Sequence, residues 1–326
     1  MEFTFLGTSA GTPTRARNVT ALALAPGGRK PWYLVDCGEG TQHQLLRSHY
    51  SVMQLRAIFI THIHGDHTFG LPGLLTSASM LGRTEPLDVI APVQTHRFIR
   101  TTLDNSDSTL SYTLNFIDSE TPDFFWQDQF VTVSNVALSH RVPCRAYVFT
   151  ERNLERQLLH RKLQLDGVEP GPSWGALQKG HDVSLEDGRV LTSDQYTRIS
   201  RVARRLIVAG DNDNPDLLAD AADGCHVLVH EATYTQEVAD KVGPWPQHSS
   251  ARQVARFAQQ ARLPHLVLTH FSSRYQAAPG GPYHINQLAD EARDHYRGQL
   301  FLARDFDTYR LNKDLSLTCQ PPIERQ

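Results

Sequence analysis

Four side chains of the types that can bind metal ions follow a short apolar run in the first third of the chain. The run at residues 57–60 is typical of a buried strand, and it is followed at once by His62, His64, Asp66 and His67. In an extended segment residues two apart share a face, and Gly65 allows a turn that sends the last histidine elsewhere. Imidazole and carboxylate ligands without a thiolate indicate a catalytic site for zinc or another borderline divalent ion. A polar surface loop is the alternative, which four donors at this spacing disfavour.

Three further candidate ligands stand where later predicted strands end. They are His140, Asp211 and His270. Because the loops that leave neighbouring strands meet at one rim of a sheet, we expect these side chains to converge on the first group. Two ions need about four ligands each. We therefore predict that His62, His64 and His140 hold one ion, that Asp66, His67 and His270 hold the other, and that Asp211 bridges them.

Such a pair of ions would suit an anionic phosphodiester. Two divalent cations, two aspartates and a bridging hydroxide leave a charge of about +1 in a site of low dielectric. Metal coordination lowers the pKa of water from about 15.7 to about 7 and so gives a hydroxide nucleophile at neutral pH. Asp66 would orient or deprotonate that water, and His248 would donate a proton to the leaving 3′-oxygen. The alternative for His248 is an N-terminal helix residue that serves hydrogen bonding.

Composition excludes several other classes of protein. The chain has 326 residues, of which 40% are hydrophobic, and its formal charge of −3 excludes binding of nucleic acid by global positive charge. The cysteines are far apart in sequence and are expected to be reduced, buried thiols: Cys37, Cys144, Cys225 and Cys319. The N-terminal residues lack the pattern of a secretory signal, and no apolar run of about 18 residues occurs. We expect a soluble cytoplasmic protein.

Short apolar strands alternate with amphipathic helices along most of the chain. The predicted strands are at residues 3–6, 19–25, 32–35, 57–60, 87–90, 112–117, 130–139, 146–150, 205–209, 226–230, 266–269 and 300–303. The predicted helices are at residues 41–48, 71–81, 95–103, 215–222, 250–262 and 284–295. Residues 313–326 are expected to form a frayed C-terminal tail.

The segment from about residue 151 to 180 has a different character. Leucines at helical spacing interleave with the basic residues Arg152, Arg156, Arg161 and Lys162, and a Gly- and Pro-rich stretch follows at 167–172. The pattern predicts an amphipathic helix. Either a projecting basic arm or a charged helix packed on the body fits these residues.

Several stretches in order carry a family resemblance. Residues 61–75 resemble the histidine motif of the metallo-β-lactamase superfamily. With residues 6–18, 36–42, 230–233, 248–250 and 269–275 they make the chain similar to the ribonuclease Z family, including its ribonuclease BN branch, from about residue 3 to 275. The resemblance implies an α/β fold, the αββα sandwich, in one domain over 1–312 with an arm at about 151–180 and a tail at 313–326. The element pattern alone leaves a singly wound parallel sheet open.

The resemblance also implies an activity. Members of this family are zinc-dependent endoribonucleases that cut precursor tRNA after the discriminator nucleotide and leave a 3′-hydroxyl, usually with two zinc ions and as a homodimer. The resemblance also favours the interpretation of residues 151–180 as a projecting basic arm. The expected substrate contacts are Arg15, Arg17, Arg152, Arg156, Arg161, Lys162 and Arg274.

Two residues of the chain depart from the family pattern, and the role of a third residue is inferred. Asn212 stands where many relatives carry Thr, which puts a hydrogen bond beside Asp211 in question, and Arg15 stands where relatives often carry Lys. Glu231 is expected to act as a partner of His248.

Two other functions fit the same motifs. One is a broader zinc phosphodiesterase, similar to ribonuclease BN, that also trims 3′ ends as an exonuclease. The other is a non-catalytic RNA-binding protein on a nuclease scaffold, which is disfavoured because every ligand position is filled.

Overall fold

The chain divides into two compact units. The computed structural model describes residues 1–27, 30–152, 154–277 and 281–320. One unit comprises Met1–Thr150 and Arg204–Gln326, and the other comprises Glu151–Ala203. In these described ranges no helix is both long and apolar enough to span a bilayer.

The first unit contains two large sheets. Within the described residues the first sheet has eight strands, in the order β21 (Leu317–Gln320), β20 (Thr308–Leu311), β1 (Glu2–Gly7), β3 (Ala21–Ala25), β4 (Trp32–Val35), β5 (Leu55–Phe59), β6 (Leu87–Ala91) and β7 (Leu114–Asp118). Neighbouring strands are antiparallel from β21 to β4 and parallel from β4 to β7. β3 and β4 are buried along their whole length, which is why they are apolar throughout instead of alternating.

The second sheet carries the later strands. As far as the structure describes it, it has seven strands, in the order β19 (Gln299–Leu302), β17 (His265–Thr269), β16 (Val227–Glu231), β15 (Arg205–Ala209), β10 (Cys144–Glu151), β9 (Val131–Leu138) and β8 (Phe125–Gln127). The strands from β15 to β19 are parallel. A short parallel pair is formed by β2 (Ser9–Ala10) and β18 (Phe271–Ser272).

The two sheets pack face to face. Phe59 of the first sheet lies with its ring centroid 5.2 Å from those of Tyr147 and Phe149 of the second. The helices of this unit are α1 (Thr41–Leu46), α2 (Gly65–Thr68), α3 (Leu71–Met80), α4 (Val93–Asn105), α8 (Ala219–Ala222), α9 (Gln236–Val242), α10 (Ala251–Gln260) and α11 (Asn286–His295). Separate apolar clusters join α1, α3 and α4 to the first sheet and α8 to α11 to the second. The predicted αββα sandwich is confirmed.

The second unit has its own elements and its own apolar core. The elements are β11 (Arg156–Leu158), α5 (His160–Leu165), α6 (Pro172–Gln178), β12 (Val183–Ser184), β13 (Val190–Leu191), α7 (Ser193–Tyr196) and β14 (Thr197–Ile199). The core is formed by Leu163, Val168, Leu177, Leu191 and Tyr196. The helix predicted from the leucine spacing is wrong before His160, because residues 156–158 pair with β14 as a strand. The compact unit continues past residue 180 to Ala203.

The C-terminal stretch is structured as far as Gln320. The Asn312 amide closes the turn between β20 and β21 by donating to the Ser316 carbonyl at 2.9 Å. Leu317 is buried against the core between the sheets. The prediction of a frayed tail is therefore wrong for residues 317–320, because β21 completes the edge of the first sheet. Residues 321–326 lie outside the described part of the chain.

Candidate metal centre

The structure brings the seven candidate ligands together. The loop after β5 and the short helix α2 carry four of them, and the ends of β9, β15 and β17 carry the other three. In each of two groups the ligand atoms lie within 4.8 Å of one another: one group is His62, His64, His140 and Asp211, and the other is Asp66, His67 and His270. Residues about 200 positions apart in sequence thus share one rim because their strands end on the same side of the sandwich.

The first group is formed by three histidines and one carboxylate oxygen. The Nδ1 atom of His64 lies 3.0 Å from Nε2 of His62 and 3.1 Å from Nε2 of His140. The Oδ2 atom of Asp211 lies 3.6 Å and 3.7 Å from the same two Nε2 atoms. These four atoms face a common point.

The second group lies on the other side of Asp211. The Oδ2 atom of Asp66 is 3.5 Å from Nε2 of His67 and 3.4 Å from Nε2 of His270. The Oδ1 atom of Asp211 is 3.5 Å and 3.3 Å from those nitrogens. Asp211 therefore presents one oxygen to each group, as a bridging carboxylate does.

These separations fit metal coordination. Ligands about 2.0–2.1 Å from a tetrahedral ion are roughly 3.3–3.4 Å from one another, which falls within the separations of both groups. The Nε2 atom of His67 is buried and has no hydrogen-bond partner among the described residues. A buried nitrogen without a partner is costly unless a cation binds it. The two groups thus have the geometry and the ligand types of a metal-binding site.

Asp36, to which the sequence analysis assigns no role, fixes the orientation of His67. Its Oδ2 atom lies 2.8 Å from Nδ1 of His67, so Nε2 of that ring faces the site. Asp36 also accepts hydrogen bonds from the amide and the hydroxyl of Thr61 at 2.8 and 2.9 Å. It follows β4 directly and has a φ of 59°, a conformation that is rare for a residue other than glycine. Two sequence signals could have indicated it: its place at the end of a strand and its place in one of the stretches that carry the family resemblance.

Two other candidate ligands, His140 and His270, are also oriented by a hydrogen-bond partner at Nδ1. The Nδ1 atom of His140 lies 3.0 Å from the carbonyl oxygen of Gln247, and Nδ1 of His270 lies 3.2 Å from the hydroxyl of Thr233. His270 itself has a φ of 55°. Because each partner occupies one ring nitrogen, the other nitrogen is directed at the site. A backbone carbonyl leaves no signal in a sequence, so the Gln247 contact could not have been predicted.

His248 and Glu231 form a buried pair beside the site. The Nδ1 atom of His248 lies 2.9 Å from Oε1 of Glu231, which also accepts the Asn212 amide at 3.0 Å. Burial acts to lower the pKa of His248, but the carboxylates of Glu231 and Asp211 outweigh it and raise that pKa to about 9. His248 also lies near Asp211 and His270 in a third group of possible ligands. Its Nδ1 atom is already bound by Glu231, however, at 2.9 Å.

The carboxylates of the site favour positive charge. Burial acts to raise the pKa of Asp66, but the neighbouring His67 and His270 lower it well below the usual range. Burial acts to lower the pKa of His67, but Asp66, Asp211 and Asp36 raise it well above the usual range. The same negative potential attracts metal cations.

Asn212 satisfies the hydrogen bonds of its surroundings. Its side-chain oxygen accepts the amides of Ser139 and Asn214, both at 3.2 Å, and its side-chain nitrogen lies 3.1 Å from Nε2 of His230. The departure from the family pattern at this position therefore leaves the side chain beside Asp211 bonded at both of its polar atoms.

The basic residues expected to contact RNA in the first unit have different surroundings. Arg17 is buried, its Nη1 donates to the Tyr275 carbonyl at 3.0 Å, and its guanidinium lies over the ring of Phe271. The side chain holds the loop at residues 8–18 against the segment that follows His270, and its burial disfavours the expected role as an RNA contact. Arg15 and Arg274 are exposed.

The basic residues of the second unit also differ from one another. Arg156 is half-buried and bound to Asp194 at 2.6 Å, and Lys162 donates to the Gln195 carbonyl at 3.1 Å. Arg161 is exposed and lines a shallow cavity with Arg198, whereas Arg152 is half-buried. The exposed surface of this unit therefore carries positive charge at Arg161 and Arg198.

An open cavity of about 390 Å³ leads to the metal-binding site. Its walls include ligand residues, His248 and three side chains to which the sequence analysis assigns no role: Glu39, Phe69 and Arg141.

Comparison with known proteins gives close relatives over the whole length. The chain is 76% identical over 97% of its length to the ribonuclease Z of Marinobacter nauticus, covering 98% of that protein. It is 52% identical over 99% of its length to the ribonuclease Z of Pseudomonas putida strain GB-1, covering 100% of that protein. A crystal structure of human tRNase Z, short form, is similar with a TM-score of 0.64 and 26% identity over 94% of this chain and 98% of that one. Residues 1–133 match the family model described as anti-Pycsar protein Apyc1.

Proposed function

The chain belongs to the ribonuclease Z family, and we propose that it removes the 3′ trailer from precursor tRNA by hydrolysing one phosphodiester bond, leaving a 3′-hydroxyl on the tRNA. The observation that carries this proposal is the convergence of two groups of ligands on Asp211, at the floor of an open cavity. Such a site suits hydrolysis of a phosphodiester anion.

The proposed cofactors are two zinc ions per chain. The first would be held by His62, His64 and His140, and the second by Asp66, His67 and His270, with Asp211 between them. Three nitrogens with one oxygen, and two nitrogens with two oxygens, are ligand sets that zinc accepts. When bound, the ions would supply an activated water and stabilise negative charge on the phosphate.

Asp66 and His248 are proposed to move the protons of the reaction. The Oδ2 atom of Asp66 accepts the Gly11 amide at 2.7 Å, and this bond holds the carboxylate where it can orient an attacking water. Hydrolysis breaks the bond between phosphorus and the 3′-oxygen, and that oxygen must gain a proton as it leaves. His248 is the donor in our proposal, since Glu231 binds its Nδ1 and its ring lines the cavity.

RNA binding is proposed for both units. Arg15 and Arg274 of the first unit and Arg152, Arg156, Arg161 and Lys162 of the second are the candidate contacts. Contacts to phosphate would supply affinity that falls with salt, and the shape of the tRNA would specify the site. We propose that residues 151–203 act as the tRNA-binding arm.

We also propose a cytoplasmic homodimer. Large apolar side chains are exposed on α1 and at the end of α3: Leu46, Met80 and Leu81. The two helices are joined by a hydrogen bond between Gln42 and Ser77. An apolar surface of this kind is typical of a protein interface. A mass measurement in solution of the wild type and of Met80→Glu tests it, with a monomeric variant as the expected result.

Cleavage of a trailer-bearing transcript tests the activity. Purified protein with zinc is expected to give one cut near the acceptor end, and Asp66→Ala is expected to abolish it. Asp290→Ala removes an exposed carboxylate of α11, outside the ligand set, and serves as the matched control that retains the cut. A ladder of products would indicate exonuclease trimming instead. Binding without any cleavage by metal-loaded protein would indicate a non-catalytic RNA-binding protein.

A further inference from the structure

An aromatic side chain is exposed at the entrance to the metal-binding site. Phe69 directly follows α2, which carries Asp66 and His67, and it is 62% exposed. It lines the same cavity as His64 and His248. Because an apolar ring gains free energy when it leaves water, a ligand in the cavity that covers this ring would be bound more tightly.

The ring of Phe69 is held in place from two directions. A Cβ atom at Gly65 would lie 2.3 Å from Cε2 of the ring, so the ring rests on the backbone where only glycine leaves room. On another side the ring centroid lies 6.0 Å from that of Phe98. The Phe69 amide also donates to the Gly65 carbonyl at 2.8 Å. A ring supported in this way offers its remaining surface without a large loss of side-chain entropy.

Charged side chains in the cavity wall favour different parts of an RNA ligand at different places. Glu39 is exposed and lines the cavity, and the Gly70 amide binds the Cys37 carbonyl at 2.9 Å, so the loops that carry Glu39 and Phe69 run together. A phosphate would be repelled by Glu39. Arg141, which follows His140, lines the cavity and attracts a phosphate instead. The wall formed by Glu39 and Phe69 thus suits the uncharged face of a nucleobase.

We propose that Phe69 is the platform on which a nucleobase beside the scissile phosphate stacks. This assignment rests on the proposed function, since it takes RNA as the occupant of the cavity. Every nucleobase has a π face, so stacking tolerates different sequences and would position the phosphate without selecting one tRNA. A ring fixed next to Asp66 would then set the distance between the base and the catalytic rim.

A coupling experiment tests the contact directly. Wild type and Phe69→Ala are each assayed on an intact precursor tRNA and on two modified transcripts. One modified transcript has an abasic nucleotide directly before the cut bond, and the other has one directly after it. We expect the variant to lower kcat/KM on the intact transcript by roughly 5- to 150-fold, the usual range for loss of one base stack. On one of the abasic transcripts the variant should cause no further loss. Phe69→Tyr, which keeps the ring, should restore most of the rate.

The controls separate stacking from structural damage. Phe125→Ala removes a ring of similar exposure, 59%, that does not line the cavity, and it should leave cleavage unchanged. Equal losses on the intact and both abasic transcripts would overturn the proposal. So would a reduced metal content or a changed oligomeric mass in Phe69→Ala, which would place the ring in the metal site or in a chain interface. If wild type fails to cut the intact transcript, the proposed function fails, and the result is distinct from loss of coupling.

Discussion

His248 has one ring nitrogen on Glu231 and lines the cavity with the rest of its ring, and this arrangement defines its expected contribution. Removing a general acid typically costs roughly 10²- to 10⁴-fold in rate. We expect His248→Ala to lower kcat by that amount while the metal content stays at the wild-type level. Single-turnover cleavage and elemental analysis of the same sample measure the two quantities. A parallel loss of metal would instead assign His248 to the ligand set.

Glu231 sets the protonation of His248 in this scheme. Its carboxylate is the largest of the contributions that raise the pKa of His248, so Glu231→Gln should lower that pKa. The acid form is lost as pH rises through the pKa, and a lower pKa brings the loss to a lower pH. We therefore expect the alkaline limb of the kcat–pH profile to move to lower pH in Glu231→Gln. An unmoved limb with unchanged turnover would contradict the pairing.

Asp305 links three segments near the cavity and should make stability depend on pH. It accepts hydrogen bonds from the Thr8 hydroxyl at 2.8 Å, the Asn18 amide at 2.7 Å and the Gln44 side chain at 3.0 Å. Burial raises its pKa to about 6, against these hydrogen bonds and the nearby Arg17. The folded state therefore binds this proton more tightly than the unfolded chain, whose Asp pKa is about 3.9. The contribution of Asp305 to the free energy of unfolding therefore falls by about 1–3 kcal/mol as pH rises from about 4 to about 6.

Asp305→Asn should remove that pH dependence. An amide can accept from Asn18 and Gln44 with its oxygen and donate to the Thr8 hydroxyl with its nitrogen, so the three contacts can be kept. We expect the difference in unfolding free energy between pH 4 and pH 6.5 to be smaller in the variant than in the wild type, in denaturant titrations at both pH values. Asp305→Ala, which leaves these donors without an acceptor, should be destabilised at both. An equal pH difference in the Asp305→Asn variant and the wild type would contradict the pKa assignment.

At the level of elements, the sequence predicts β5, β15 and β17 because each contains an apolar run that is closely followed by a histidine or an aspartate. Asp211 lies two residues after β15 and His270 directly follows β17, so strand and site could be predicted together. The contact of Asp36 with His67 could not be predicted from the element pattern, because it depends on β4 lying beside β5 in the sheet. In the second unit the leucine spacing predicts a helix through residues 156–158, but pairing with β14, some forty positions later, makes them a strand.

The second unit should contribute salt-dependent affinity for RNA. Arg161 and Arg198 line one cavity of that unit. Each arginine that neutralises a phosphate adds about 0.9 to the slope of log K against log salt. We expect Arg161→Glu to weaken binding of mature tRNA and to reduce that slope by about one, measured between about 50 and 200 mM salt. Arg293→Glu, an exposed charge change on α11, is the matched control. Equal slopes for the two variants would contradict the arm assignment.

At the level of the whole molecule, the candidate metal site joins the two sheets. The loop after β5 of the first sheet and the ends of β9, β15 and β17 of the second all carry candidate ligands. Short apolar strands separated by helices are equally compatible with one parallel sheet, so the pattern alone could not predict two sheets packed face to face. The family resemblance does distinguish the two arrangements. The element pattern does not, because the packing of Phe59 on Tyr147 and Phe149 depends on contacts between residues far apart in sequence.

Removal of metal should therefore destabilise the whole first unit. Candidate ligands from both sheets lie within a few ångströms of one another only in the folded chain, so a cation that binds them stabilises the folded state. A ligand that binds only the folded state adds about 2.7 kcal/mol of stability at a free concentration about one hundred times its Kd. We expect chelation to lower the melting temperature by several degrees and zinc to restore it, with saturation at two ions per chain. Asp66→Ala should bind fewer ions and recover less of the shift. A melting temperature that does not respond to chelation, in protein shown to have lost its metal, would mean that the sheets hold the seven side chains in place without help from the ions.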